Sequence, residues 1–115
     1  MANTRRTKRI ADLITREIAA IVQRDVKDPR IGLVTFTGAE VSSDLSSAKI
    51  YYTVLGDDEQ REKTKIGLDR ATGFLRREIA HRLDTKTTPQ LRFVYDQSMD
   101  RAMRIEELLG KPDNG

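Results

Sequence analysis

At 115 residues, the chain is one domain's worth and long enough for a modest single core. Charged residues make up 34% and hydrophobic residues 37%, so the chain pairs high solubility with enough apolar surface to fold. Cysteine is absent, which excludes disulfides, thiol catalysis and cysteine metal sites, and no apolar run is long enough for a membrane-spanning helix.

The net charge of +3 conceals a block pattern. Residues 1–30 carry +4, residues 31–60 carry −4, residues 61–92 carry +5 and residues 93–115 carry −2. Two basic blocks separated by an acidic one give a polarised surface if they meet in the fold, and such surfaces favour polyanions. Asp12, Arg16 and Glu17 interrupt what would have to be the apolar part of a signal peptide. Together with Asp25, the acidic residues also argue against an organelle transit segment, so a cytoplasmic setting is expected.

Ile10, Leu13, Ile14, Ile18, Ile21 and Val22 follow the three-and-four spacing of an amphipathic helix, expected from about Thr7 to Asp25. Arg5, Arg6, Lys8 and Arg9 precede or begin this repeat, so the first six residues are expected to be removable with little loss of core. Pro29 disfavours helix at Asp28, and the chain turns through residues 28–32. Leu33 to Val41 reads as a strand and Ser42 to Ser46 as a turn. Ala48, Ile50, Tyr52 and Val54 then alternate with Lys49, Tyr51 and Thr53, which completes a hairpin with one buried face. Gly56, Asp57, Asp58 and Glu59 open the next helix, where carboxylates suit the positive end of the helix dipole. Its stripe of Leu68, Ala71, Leu75, Ile79 and Leu83 is followed by a connection at Thr85–Pro89. Leu91, Phe93 and Tyr95 mark a third strand, and Ser98 is placed to cap a short last helix carrying Ala102, Met103, Ile105, Leu108 and Leu109. The expected fold is α+β: residues 1–109 as a single domain with a small sheet covered by helices on one face, and 110–115 as a flexible tail.

Gly73 stands out within the second long helix. At 100° per residue, Leu68, Ala71, Leu75 and Ile79 cluster opposite it, whereas Arg70, Arg76, Arg77 and His81 flank it. A mid-helix glycine costs about 1 kcal/mol relative to alanine. A helix-packing glycine belongs in the apolar stripe, and this one lies outside it. A bare backbone among arginines offers close approach to an anion; a tolerated or kinking glycine is the competing explanation.

Catalysis fails on inventory. The one histidine, His81, lies in a basic stretch where surface polarity explains it. Asp57, Asp58, Glu59 and Glu62 lack the spacing of a calcium loop, no phosphate-loop signature occurs, and no metal or cofactor is expected. Nucleic-acid binding fits better, through the amino-terminal basic cluster and the Gly73 face. Aromatic stacking is a poor main mechanism, because tryptophan is absent and most Phe and Tyr fall on core faces, Tyr51 excepted.

Four stretches carry a family resemblance: Asp28-Pro29-Arg30; Val41-Ser42-Ser43-Asp44-Leu45 with Ala48-Lys49-Ile50-Tyr51; Ala71-Thr72-Gly73-Phe74-Leu75-Arg76; and Pro89-Gln90-Leu91-Arg92-Phe93 with Asp96. In this order, over roughly residues 4–109, the chain resembles the ribosome-binding factor A family of bacterial small-subunit assembly factors. That family is similar to type II KH domains, with an Ala-x-Gly kink in place of the Gly-x-x-Gly loop that clamps nucleic-acid backbone. The resemblance implies a helix break at Ala71, Thr72 and Gly73. It also implies binding to free small (30S) subunits and 16S rRNA, with neighbouring ribosomal proteins as further contacts, and support for late maturation and rRNA end processing. A monomer with no membrane association is expected. Gln90 stands where the family more often has glutamate, which affects local charge only.

Two readings from other classes compete. A general RNA-binding module or RNA chaperone shares the basic faces but leaves the Asp-Pro-Arg turn and the serine-rich hairpin unexplained. A protein-interaction adaptor would use the acidic end at Asp57–Glu59.

Overall fold

A computed structural model describes residues 4–109; the tail expected at 110–115 lies outside the described residues. Helix α1 spans Arg5–Asp25, and strands β1 and β2 span Val34–Val41 and Ser47–Val54. Helix α2 spans Asp58–Ala80, β3 spans Gln90–Tyr95 and α3 spans Ser98–Leu108. This is the α+β order expected, with the sheet ordered β1-β2-β3.

Helix α1 begins earlier than its apolar repeat suggests, because Thr4 caps it: the Thr7 amide donates to Thr4 Oγ1 at 3.2 Å. Arg5 and Arg6 are therefore helical, and the idea that they form an expendable arm is corrected. Removing residues 1–6 removes the cap and part of the first turn beneath buried Thr7 and Ile10. Ile14, Ile18 and Ile21 have no exposed surface and form the centre of the α1 stripe.

The hairpin of β1 and β2 is antiparallel, whereas β2 and β3 run parallel, which requires the crossover that α2 supplies. A bulge at Thr37 resets the alternation of β1, so Phe36 pairs with Tyr52 and Gly38 with Tyr51. The inward set becomes Val34, Phe36, Ala39 and Val41, against Ala48, Ile50, Tyr52 and Val54. Strict period-two reading cannot find this set. The helices cover this face alone.

The turn at 42–46 shows why its residue types are needed. Asp44 Oδ1 accepts from Ser42 Oγ at 2.8 Å, from the Ser46 amide at 3.0 Å and from Ser46 Oγ at 2.7 Å. These bonds, that from Ser46 foremost, hold the Asp44 carboxyl below its ordinary range. They brace Leu45 in the left-handed region at φ 62°, from which its side chain enters the core at 7% exposure.

Helix α2 runs from Asp58 to Ala80 as one element, so the break expected at Ala71–Gly73 is not present. The local departure is subtler: Thr72 Oγ1 donates to the Leu68 carbonyl at 3.0 Å, a back-bond of the kind that bends helices without ending them. Asp57 caps the amino end by accepting from the Gln60 amide at 3.0 Å, which accounts for the acidic cluster there. Ser98 does not cap α3 with its side chain; it is the first helical residue, and its amide donates to Asp96 Oδ1 at 2.9 Å. From Asp100 to Leu109 every residue of α3 and its cap is exposed, and Arg61 Nη2, 3.4 Å from Asp100, ties the helix back to α2.

Candidate nucleic-acid interface

The Asp28-Pro29-Arg30 turn positions α2 against α1. Asp28 accepts the Arg30 amide at 2.9 Å and the Arg30 guanidinium through Nε at 2.9 Å and Nη2 at 2.7 Å. These hydrogen bonds from Arg30 are the main reason the Asp28 carboxyl falls to about 2, with Arg70 adding a smaller favourable field. Buried Thr64 fastens the turn to α2: its hydroxyl donates to the Arg30 carbonyl at 3.4 Å and accepts from the Gly32 amide at 3.2 Å. Gly67 completes the seat, since a Cβ there would lie 2.6 Å from Ile31 Cγ1. Gly67 is the packing glycine of this helix, and sequence reading missed it; its place one residue before Leu68 on the apolar stripe was the available clue.

With α2 seated, Arg70, Gly73 and Arg77 lie along one exposed face at i, i+3 and i+7, about 10 Å end to end. A Cβ added at Gly73 would meet only Arg77 Nη1, at 3.8 Å. Among the described residues no packing therefore demands glycine there. Gly73, Arg76, Arg77, Ala80 and Thr88 line a shallow concavity of about 300 Å³.

Other expected residues take different roles. Arg76 lines that concavity, but its guanidinium donates to the Pro89 carbonyl at 3.0 Å and the Thr88 carbonyl at 2.7 Å. It fastens α2 to the segment entering β3, and its assignment as a free phosphate ligand is corrected. Arg76→Gln is expected to cost about 2 kcal/mol, because two charge-assisted bonds to carbonyls are lost, and thermal denaturation reads it directly. Thr72 commits its hydroxyl proton within the helix. Ala71 packs against the core, as its place on the stripe requires. His81 is the exposed carboxyl-terminal cap of α2 and does not line the concavity.

A second basic concavity, of about 500 Å³, lies between α1 and the segment after α2. Arg6, Arg9 and Arg16 line it together with the carboxylates of Asp12 and Asp84. Arg5 and Lys8 lie on the same exposed first turns, Lys8 in a loose 3.8 Å pair with Asp12. Arg16 was not among the expected residues, although its seven-residue spacing from Arg9 places both on one helix face. The first turn of α1 has no acidic residue, so its arginines oppose the helix dipole and favour an external anion instead. Arg82, 3.0 Å from Glu17, holds the end of α2 to α1. The two basic blocks of the sequence thus meet, with segment 83–88 bordering both concavities. Among the described residues no group of three His, Asp or Glu side chains is placed to hold a metal, and no helix is long and apolar enough to cross a membrane.

The geometry defines an α+β domain whose exposed helical faces gather arginines around open concavities. The chain belongs to the ribosome-binding factor A family: the family model of that description matches residues 6–109. A ribosome-binding factor A of Geobacter sulfurreducens is 48% identical over 104 residues, covering 90% of this chain and 88% of the relative. The solution structure of a Thermotoga maritima protein described as a ribosome-binding factor A superposes with a TM-score of 0.74 at 33% identity, covering 85% of this chain and 93% of that one. A homology model of the Thermus thermophilus factor, fitted into the cryo-EM map of a 30S complex, shares the fold with a TM-score of 0.65 at 24% identity, over 79% of this chain and 96% of that one.

Proposed function

We propose that this chain is a ribosome biogenesis factor that binds the free 30S subunit through 16S rRNA and assists late maturation and rRNA end processing. In this reading it works as a cytoplasmic monomer. Its domain is then KH-like, and the Gly73 face of an unbroken helix takes the part of the backbone-clamping loop. The observation that carries the reading is Gly73 itself, a mid-helix glycine that no packing among the described residues requires, between the exposed arginines Arg70 and Arg77. Family membership supplies the class of partner, in line with the 30S complex of the Thermus relative.

Gly73→Ala tests it. The added methyl meets only an ordinary contact, so thermal stability should hold or rise by up to about 1 kcal/mol. Co-sedimentation with free small subunits should fall, because the methyl occupies the closest approach to the helix backbone. A variant that is stable and pellets fully would make the glycine incidental. Binding that bulk RNA competes away as well as small subunits do would instead favour a general RNA-binding module.

A further inference from the structure

Among the described residues, neither α1 nor α2 covers the other face of the sheet, on which Glu40, Lys49 and Arg92 are exposed. Its register aligns Glu40, Lys49 and Arg92 in one row and Gly38, Tyr51 and Val94 in the next. Gly38 lies inside a strand, where glycine weakens a sheet. Its φ is not left-handed, so the neighbouring bulge does not demand glycine, and a Cβ there would meet nothing within 4 Å. Tyr51 therefore leaves the space above Gly38 empty, its hydroxyl reaching Glu40 Oε1 at 3.0 Å. Beside this notch, Lys49 and Arg92 stand directly opposite one another on adjacent strands, both exposed. Like charges in that relation destabilise a sheet, and among the described residues neither has an ion-pair partner. Glu40, in register with Lys49, accepts from Tyr51 instead.

Bare backbone at Gly38 beside an aromatic ring leaves room for a planar base, and the exposed Lys49 and Arg92 suit the phosphates of the same strand, with Glu40 and Asp96 supplying the negative charge nearest Tyr51. We propose that the open sheet face binds a single-stranded RNA segment, with one base entering the notch above Gly38 against Tyr51 and neighbouring phosphates on Lys49 and Arg92. A duplex is excluded from this mode because its base faces are stacked away. The site rests on the RNA-binding reading only for the identity of the polyanion and uses none of the helical arginines. With the helices holding one RNA element, the sheet holds another.

The test measures binding of the full chain to an oligouridylate about 12 nucleotides long by fluorescence anisotropy across a salt series. Gly38→Val should keep or raise the thermal midpoint, as a β-branched residue in an open strand position, while weakening oligouridylate binding about tenfold or more. Lys49→Gln with Arg92→Gln should lower the log–log salt slope by about 1.4, the value for two phosphates on a single strand. Arg70→Gln with Arg77→Gln should weaken small-subunit association more than oligouridylate binding and leave the loss caused by Gly38→Val in place, which separates this site from the helical one. Equal oligouridylate binding by the wild type and both sheet variants overturns the proposal. So does a wild type that ignores oligouridylate while the sheet variants lose small-subunit association, which would assign the face to an acidic protein segment.

Discussion

Replacing Arg6, Arg9, Arg70 and Arg77 together with glutamine is expected to reduce the log–log salt slope of small-subunit binding by about 3. Each phosphate contact contributes roughly 0.7 to 0.9 to that slope, through the counterions it releases. All four side chains are exposed, and among the described residues none enters a hydrogen bond or ion pair, Arg70 adding only a small favourable field at Asp28. Arg6 and Arg9 oppose the dipole of α1, and neutralising them relieves that conflict. The thermal midpoint should therefore stay close to that of the parent protein. Arg76 is left out of this set because its loss would mix unfolding with lost binding. Filter binding or pelleting between about 50 and 200 mM salt reads the slope, and an unchanged slope would remove both helical faces from the site.

Gly67→Leu is expected to destabilise the domain strongly. The first added atom would already lie 2.6 Å from Ile31 Cγ1 and 3.5 Å from Arg30 Cβ, so the turn at 28–32 must lift off the helix. Overpacking of this kind costs about 1–3 kcal/mol, and each kcal/mol lowers the midpoint of a domain this size by roughly 4–8 °C. Displacing the turn also breaks the Thr64 bonds to the Arg30 carbonyl and the Gly32 amide. Because α1 and α2 are set relative to one another partly through this turn, subunit binding should fall with stability. Gly67→Ala, with only the Cβ to accommodate, should show a smaller loss in the same direction.

The elements themselves were legible in the sequence because their signals are local. The α1 stripe of isoleucines, the alternation of Ala48 to Val54 and the residues of the 42–46 turn each act over a few positions, and each element formed where its pattern placed it except that α1 starts two residues earlier. The block charges likewise foretold arginine-rich surfaces, and the ordered family motifs foretold the family. What stayed hidden depends on contacts between residues distant in the chain. Gly67 and Gly73 are alike as letters, but Ile31 lies over one and open space over the other. Arg76 and Arg77 are adjacent cations, yet the carbonyls of Thr88 and Pro89 capture the first and leave the second free. The bulge at Thr37, which sends Gly38 to the open face beside Tyr51, follows from pairing β1 with β2 and breaks the alternation a single strand would show. The sequence by itself determined the helices, the strands, the buried stripes and the charge carried by each segment, since backbone propensity and periodicity act locally. Only the tertiary structure decided which glycines are bare and which arginines are free, because burial and partnership are properties of neighbours brought together by folding.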